Sequence, residues 1–502
     1  MVLKSTFQHP IIDLLFVLYY IFNMNELIIG REAEQQQLQN AYESNESQLV
    51  IIYGRRRIGK TFLINHVFKD KFDFKLTGSF KEEKEKQLHN FFVELKRHIQ
   101  VKESEPKNWT EAFEMLRDYI ESLDENTKHV VFFDEMPWLD TNKSGFLSAF
   151  EYFWNSFGSA QDNLLFIVCG SATSWMVDNI DQNKGGLFNR QNYRIYLEPF
   201  TLAETEKFLL EKKNVVWNRY TIALCYMILG GVPYYLNLIE PKLTFEANID
   251  KLFFNKRATL WDEYDHLYNT LFTNSVNYTK VVETLSEKRM GLSRSELAQE
   301  TKLADNNSLT RILRNLEDSG FIRSYPYFGK KKNGTFYQLA DFFTMFYFKF
   351  VKDNNTNDAN YWSNSIDNPS RRAWEGFTFE QLCKDHSRQI KKKLGISGIL
   401  TAESAWSVSK TDEHNGAQID MLIDRRDRVI SICEIKFASE EYTITKDYEE
   451  KLRNKIGVFR TVTKTKKALQ LVMITTYGVQ KNMYSNRIQN EVVLDDLFEE
   501  IK

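Results

Sequence analysis

The sequence predicts an α/β protein with a parallel sheet in its first half and a second α/β domain at its carboxyl end. In the first half, apolar runs within residues 49–64, 129–139 and 163–176 alternate with helical stretches. Such runs are typical of parallel strands that helices cover on both faces, with ligand bound at their carboxyl ends. Because 502 residues are too many for one core, we expect about three domains.

The composition is that of an ordinary globular protein. Lys and Arg total 66 against 68 Asp and Glu, so the net charge does not indicate nucleic-acid binding and any basic surface must be local. The four cysteines lie far apart without metal-binding spacing, which favours reduced, buried thiols in a cytoplasmic protein. They are Cys169, Cys225, Cys383 and Cys433.

Residues 1–23 differ from the rest of the chain. Their apolar run, 11–22, is too short to cross a bilayer, and Asp13 interrupts it. The segment also lacks the basic start and the small-residue cleavage site of a secretory signal. We therefore expect a loosely docked extension and no membrane association, with a membrane or export role as the less favoured alternative. Met24 opens the well-patterned region and is a second candidate for the translation start.

A P-loop pattern joins the first apolar strand to a helix. It reads Gly54-x4-Gly59-Lys60-Thr61 and stands in the strand–loop–helix context that the pattern requires. Glycines allow backbone N–H groups to surround phosphate oxygens, Lys60 would contact the β and γ phosphates, and Thr61 would ligate Mg²⁺. The sequence thus predicts ATP and Mg²⁺ as cofactors. The predicted nucleotide contacts are Gly54, Arg55, Arg56, Arg57, Ile58, Gly59, Lys60, Thr61 and Phe62.

Polar residues end the next two apolar runs. Asp134 and Glu135 close the run that begins at His129, where a P-loop ATPase carries its magnesium-holding acid and its water-activating base. Ser171 ends the following run, and we expect it to lie between the acid-bearing strands and to sense the γ phosphate. A solvated strand end would explain a single acid better than it explains this pair.

These residues carry a family resemblance. Residues 24–260 resemble the prokaryotic, archaeal-type AAA+ ATPases, close to the STAND branch of P-loop proteins. The resemblance implies that Gly30 to Glu32 lie near the adenine and that Pro233 packs beside the nucleotide in a helical lid. Arg190 would be an arginine finger or sensor, the alternative being a surface salt-bridge partner. The stretches that carry it are "IIGREAEQQQL" (28–38), "YGRRRIGKT" (53–61), "FFDEMPWL" (132–139), "LFNR" (187–190) and "GGVPYYL" (230–236).

Residues 265–350 contain a short capped helix, a second helix and two strands, and this order resembles that of a winged helix-turn-helix. Ser293 and Glu296 form a capping box, and a second helix, about 306–318, precedes two strands around the turn "GKKKNG". The apolar face of that helix carries Leu309, Ile312, Leu313 and Leu316. The resemblance implies phosphate contacts from Arg311, Arg314 and the wing residues Lys330, Lys331 and Lys332. A purely packing role is the alternative, since the helix also carries Glu317 and Asp318. The Asn-rich segment 351–370 is predicted to be a connector or an exposed loop that leads to a new domain.

The sequence pattern of residues 371–502 predicts secondary-structure elements in the order α-β-β-β-α-β. Asp420 lies on the second strand and Glu434-x-Lys436 on the third, an arrangement that resembles the PD-(D/E)xK nuclease fold, with Glu380 as the helical acid. By this resemblance Asp420, Glu434 and Glu380 would hold Mg²⁺, and Lys436 would orient water or stabilise charge. A solvated hairpin is the alternative, since charged residues commonly line one face of an antiparallel sheet.

The turn between the second and third of these strands decides whether the two acids can meet. Pairing Asp424 with Val429 would place Asp420 opposite Cys433 and would turn Glu434 away. Pairing Asp424 with Ile430 leaves a five-residue loop, 425–429, and places Asp420 opposite Glu434. A three-residue loop between Arg425 and Val429 gives the same parity. We therefore predict an odd loop, or a bulge that restores the phase.

Together, these patterns predict an ATP-hydrolysing switch coupled to a Mg²⁺-dependent, nuclease-like DNA-processing domain. The alternative is an ATP-dependent regulatory module that binds DNA or protein and whose nuclease-like domain is not catalytic. Expected partners are ATP, DNA, and either a second copy of the chain or another protein. The resemblance implies a cytoplasmic bacterial or archaeal protein.

Overall fold

The computed structural model describes residues 28–99, 104–181, 186–187, 190–272, 274–329, 334–354, 356, 358–412 and 414–501. The described chain divides into two compact units. The first comprises the residues up to Glu198 together with Glu206–Val216, and the second comprises Pro199–Thr205 and the residues from Trp217 on. The predicted extension 1–23 and the wing residues Lys330–Lys332 lie outside the described residues. Within the described ranges, no helix has the length and apolarity needed to cross a bilayer.

A five-stranded parallel sheet forms the centre of the first unit. The strands are β1 (Gln48–Tyr53), β2 (Phe72–Thr77), β3 (His129–Asp134), β4 (Leu164–Gly170) and β5 (Tyr193–Tyr196), in the order β2-β3-β4-β1-β5. Every neighbouring pair is parallel. The predicted parallel α/β sheet is therefore confirmed. Its carboxyl edge carries the ends of β1, β3 and β4 side by side.

Helices cover both faces of this sheet. They are α1 (Glu32–Glu43), α2 (Lys60–Val67), α3 (Lys84–His98), α4 (Trp109–Glu121), α5 (Phe146–Ser156) and α6 (Thr173–Met176). All residues of β4 are buried, because helices pack against both of its faces. An aromatic cluster fills one face, with the rings of Trp109 and Phe146 4.8 Å apart. Aliphatic side chains such as Ile52 and Ile167 fill the other.

The second unit begins as a series of helices. Those that precede its carboxyl-terminal sheet are α7 (Leu202–Lys207), α8 (Arg219–Leu229), α9 (Pro233–Asn237), α10 (Phe245–Ile249), α11 (Glu263–Leu271), α12 (Ser275–Ser286), α13 (Arg294–Thr301), α14 (Asn307–Asp318), α15 (Phe342–Phe346), α16 (Pro369–Asp385) and α17 (Ser387–Lys393). Of these, α7 extends two residues beyond the part of the chain that belongs to the second unit.

The middle of the chain contains the predicted local elements. Ser293 and Glu296 make the capping box that opens α13. The four leucine and isoleucine side chains of α14 that were predicted to share a face are buried. Strands β6 (Leu292–Ser293), β7 (Ile322–Pro326) and β8 (Thr335–Leu339) form an antiparallel sheet in the order β6-β8-β7.

A mixed sheet forms the carboxyl-terminal part. Its strands are β9 (Thr401–Val408), β10 (Ala417–Arg425), β11 (Val429–Lys436), β12 (Ala468–Thr475) and β13 (Asn490–Val493), in the order β13-β12-β11-β10-β9. The first three strands along the chain are antiparallel, and β11, β12 and β13 are parallel. Helix α18 (Lys446–Thr463) connects β11 to β12, which gives the predicted α-β-β-β-α-β order. Asp424 pairs with Ile430, and the strands end at Arg425 and begin again at Val429, so the predicted odd loop is confirmed with three residues, 426–428.

The predicted connector or exposed loop, 351–370, is anchored to the core at its centre. Trp362 is fully buried, and the backbone N–H groups of Trp362 and Ser363 donate to the Asp250 carboxylate at 2.7 and 3.1 Å. The Arg371 guanidinium lies 3.9 Å from the centroid of the Trp362 ring. The Asn-rich composition favoured exposure of the whole segment. One indole that is buried on a hydrogen-bonded turn is enough to anchor it, although most of its neighbours are polar.

Candidate functional sites

The loop after β1 has the backbone that a phosphate cradle requires. Gly54 and Gly59 have φ values of 143° and 88°, a region that favours glycine. A Cβ atom at Gly54 would lie 2.4 Å from the carbonyl oxygen of Leu197. Arg57 has a φ of 74°, a strained conformation of the kind that clusters at ligand-binding loops. The loop therefore keeps its shape only with glycine at position 54.

Lys60 is folded into this loop. Its Nζ donates to the carbonyl oxygens of Gly54 and Arg55 at 3.0 and 2.9 Å, and the side chain is 5% exposed. Burial lowers the pKa of Lys60, while Glu135 acts in the opposite direction. The ammonium group thus lies inside the loop whose backbone would surround the phosphates.

The start of α2 and the end of β3 place a hydroxyl group beside a carboxylate. Thr61 Oγ1 lies 3.0 Å from Oδ2 of Asp134, which is itself buried, and the backbone N–H of Glu135 donates to Asp134 Oδ1 at 3.0 Å. Mg²⁺ prefers such hard oxygen ligands and keeps several of its waters, so two protein ligands suit it. These residues fit a magnesium ion, which when bound would neutralise charge on phosphate oxygens.

Glu135 is held by the end of the neighbouring strand. The backbone N–H and the Oγ of Ser171 donate to Glu135 Oε2 at 3.1 and 2.8 Å. Glu135 has a φ of 48°, which turns its backbone away from the course of β3. The structure therefore brings together Lys60, Thr61, Asp134, Glu135 and Ser171, as the sequence predicted, although their roles stay predictions.

In the second unit, lysines surround the Glu434 carboxylate. Lys436 Nζ lies 3.0 Å from one of its oxygens, and Lys455 Nζ and the Tyr448 hydroxyl also donate to it. Burial alone would raise the pKa of Glu434, but Lys455 and Lys436 outweigh it and lower the pKa to about 2. Sequence reasoning missed Lys455 and Tyr448. Their spacing of two helical turns on α18 was the available signal.

Glu380 lies in a different electrostatic setting. Burial raises its pKa to about 8, with Asp420 as the next largest cause, while Lys384 and Lys436 act in the opposite direction. Burial likewise lowers the pKa of Lys384 to about 8. Asp420 and Lys436 are therefore close enough to Glu380 to influence its ionisation.

The predicted convergence of Asp420, Glu434 and Glu380 on one metal is not seen. Among the residues that the structure describes, no group of three or more His, Cys, Asp or Glu side chains could hold a metal ion. Two physical reasons account for this. The pairing of β10 with β9 is irregular between Ile419 and Leu422, where Asp420 lies and accepts from Gln418 Nε2 at 2.6 Å. The oxygens of Glu434 are meanwhile occupied by lysines and a tyrosine.

The β7–β8 hairpin packs against the carboxyl-terminal sheet. Tyr327 forms a parallel bridge with Ala405, and the backbone N–H of Phe328 donates to the carbonyl oxygen of Ala405 at 3.0 Å. On α14, Arg311 is exposed, whereas Arg314 lies 3.5 Å from Asp318. These contacts favour the packing alternative for the hairpin and leave the DNA contacts as predictions.

Comparison with known proteins identifies the first half of the chain. Residues 28–239 match the family model of an ATPase domain found predominantly in Archaea. This segment is an archaeal-type ATPase domain. An uncharacterized protein of Methanocaldococcus jannaschii is 24% identical over 419 residues, 82% of this chain and 88% of that protein.

Two solved structures are also similar. The Walker-type ATPase of Pyrococcus abyssi has a TM-score of 0.46 at 20% identity, covering 64% of this chain and 96% of its own. The ORC2 protein of Aeropyrum pernix, in ADPNP–ADP complexes, has a TM-score of 0.40 at 15% identity, covering 68% and 94%.

The remaining predicted site residues of the ATPase domain differ in exposure and in hydrogen bonding. Arg31 is buried and its guanidinium donates to the carbonyl oxygen of Glu198, while Gln35 Nε2 donates to that of Gly30 at 3.0 Å. Glu32 opens α1 and is exposed. Arg190 is exposed and its backbone N–H donates to Leu187.

Two predicted contacts near the P-loop differ sharply in exposure. Ile58 is buried, whereas Phe62 is 51% exposed. Pro233 opens α9 in the second unit, after Gly231, where a Cβ atom would lie 2.2 Å from the Phe200 carbonyl oxygen. The nucleotide roles of all these residues stay predictions. Cys169 was missed as a neighbour of the site, although it stands two residues before Ser171.

Proposed function

We propose that this protein is a Mg²⁺-dependent, ATP-hydrolysing switch. The observation that carries the proposal is the convergence of three strand ends on one point of the ATPase domain. There, Thr61 contacts Asp134 at 3.0 Å, and Ser171 holds Glu135 at 2.8 Å, beside the buried Lys60. One edge of the sheet therefore brings together a cation suited to phosphate, oxygen ligands suited to a metal and a carboxylate that can accept a proton.

The roles follow from position. Lys60, on turning from the Gly54 and Arg55 carbonyls, would bind the β and γ phosphates. Thr61 and Asp134 would hold the magnesium ion of the nucleotide. Glu135, fixed by Ser171, would accept a proton from the water that attacks the γ phosphate. Binding and turnover thus depend on different residues, so they can be separated experimentally.

Two variants test this division. Lys60→Ala should abolish tight ATP binding, whereas Glu135→Gln should retain binding and lower turnover at least ~100-fold, the lower end of general-base contributions. Binding is measured with a fluorescent ATP analogue and turnover by phosphate release. Lys86→Ala and Glu85→Gln, at exposed positions of α3, are the charge-matched controls. Hydrolysis by Glu135→Gln at the parent rate would refute the role of Glu135.

A second candidate function is Mg²⁺-dependent DNA processing by residues 371–502. It is favoured by the observed Asp424–Ile430 pairing and by the proximity of Asp420 and Lys436 to Glu380. For a metal to bind at Glu434, Lys455 would have to release this carboxylate. The regulatory alternative needs no such change, because the ion pairs can serve the fold alone.

Nicking of supercoiled plasmid with Mg²⁺ or Mn²⁺, with and without ATP, separates these functions. DNA processing predicts metal-dependent nicking that Glu434→Gln and Lys436→Ala abolish and that the exposed control Glu440→Gln preserves. DNA binding without nicking under every condition would favour a regulatory module. Nicking that persists in Glu434→Gln would indicate a contaminant or a different active site.

A further inference from the structure

Cys169 lies against the magnesium-site carboxylate. It is the penultimate residue of β4, is fully buried, and its Sγ lies 2.7 Å from Asp134 Oδ1. Register explains the contact, since Phe133 pairs with Val168 and the next step along both strands brings Asp134 to Cys169. A thiol is a weak hydrogen-bond donor, and a carboxylate is the acceptor that it suits best.

The remaining contacts of Asp134 are arranged around this thiol. Thr61 Oγ1 lies 3.1 Å from Oδ1 and 3.0 Å from Oδ2, and the Glu135 backbone N–H donates to Oδ1. Oδ1 therefore faces the protein interior, where it accepts from the Cys169 S–H and from the Glu135 backbone N–H. Oδ2 accepts only from Thr61 among the hydrogen bonds of the described residues.

We propose that Cys169 is a positioning residue that donates its S–H to Asp134 Oδ1 and so directs Oδ2 toward the metal of the nucleotide. The inference rests on the proposed function. Partners that orient metal-ligating carboxylates commonly contribute 10–100-fold to metal affinity. Buried cysteines otherwise act as small apolar fillers, and that role would be served equally well by a side chain without a donor.

The test compares donors with fillers at position 169. Cys169→Ser keeps a donor, Cys169→Ala removes it, and Cys169→Val fills the volume without one. Affinity for a fluorescent ATP analogue is titrated against Mg²⁺, with EDTA as the metal-free reference. We expect Cys169→Ala and Cys169→Val to need about 10–100-fold more Mg²⁺ for half-maximal enhancement, with unchanged affinity in EDTA. Cys169→Ser should restore most of the parent response, and Cys225→Val is the control for loss of another buried thiol.

A double-mutant cycle with Asp134→Asn shows whether the effect acts through Asp134. In that background, Cys169→Ala should cause no further change in Mg²⁺ response. A folded Cys169→Ala or Cys169→Val protein with the parent Mg²⁺ response would overturn the inference and leave the proposed function standing. A parent protein whose analogue affinity ignores Mg²⁺ would overturn both.

Discussion

The Glu434 carboxylate shows how one residue can serve either a fold or a reaction. It is 7% exposed and is contacted by Lys436, Lys455 and Tyr448. Burial of a carboxylate is costly unless opposite charges and hydrogen-bond donors accompany it. In the observed arrangement these partners stabilise the charged form of Glu434, so the residue also supports the folded state.

This arrangement predicts a dependence of stability on acid. The folded pKa of Glu434, about 2, is below its unfolded value near 4.5, so the stabilisation is present above pH ~4.5 and is lost as pH falls toward ~2. Lys455→Met should raise this pKa toward the unfolded value, so the loss of stability between pH ~4.5 and ~2, whose slope is at most about 1.4 kcal/mol per pH unit for this group, should become smaller than in the parent. Thermal unfolding followed by circular dichroism between pH 7 and 3 measures it.

Lys451→Met is the matched control, because Lys451 is exposed on the same helix, α18. It should reproduce the pH profile of the parent. If Lys455→Met and Lys451→Met give superimposable profiles, the ion pair of Glu434 does not contribute to acid stability.

At the scale of elements, the β7–β8 hairpin completes the edge of a neighbouring sheet. Tyr327 forms a β-bridge with Ala405 of β9, and the backbone N–H of Phe328 donates to the carbonyl oxygen of Ala405. The Phe328 ring lies 5.1 Å from the Phe459 ring of α18. An uncovered edge strand exposes unpaired N–H and C=O groups. The hairpin therefore covers part of the edge of β9, and the Phe328 ring packs against the core of the carboxyl-terminal sheet.

Removal of that ring should loosen the edge. Phe328→Ala should destabilise the second unit by roughly 1–3 kcal/mol, less than for a fully buried phenylalanine because this ring is half-buried. Hydrogen exchange of the β9 amides should accelerate. Met483→Ala, at a side chain that is 75% exposed, should leave both quantities unchanged. Unaltered exchange in β9 would show that the hairpin contact does not hold this edge.

For the whole molecule, charge balance limits how DNA could be bound. With a formal net charge of −2, the protein has no overall attraction for phosphate, so affinity must come from a few local cations. Lys330, Lys331 and Lys332 are the densest predicted group. Lys391, Lys392 and Lys393 form an equally dense run, but their ammonium groups lie 2.8–2.9 Å from Glu403, Glu499 and Asp496.

The two lysine runs give a matched comparison. Replacing Lys330–Lys332 with alanine should weaken DNA binding and reduce the slope of log affinity against log salt by roughly one unit per lost contact. Replacing Lys391–Lys393 should change the slope little, because carboxylates already neutralise them. Fluorescence anisotropy between about 50 and 200 mM salt measures both slopes, because DNA affinity that depends on phosphate contacts changes strongly over this range. Equal slopes for all three proteins would assign the wing no phosphate contacts.

Local pattern alone determined much of this protein. The P-loop, the acids at the end of β3, the capping box at Ser293 and the odd loop after Asp424 were all predictable, because each depends on neighbours within a few residues. Tertiary structure decided which distant groups meet. Cys169 reaches Asp134 from the neighbouring strand, Lys455 reaches Glu434 from a helix, and Trp362 reaches the core from a polar segment. Periodicity assigns a side chain to a face, but its partner there depends on how separate elements pack.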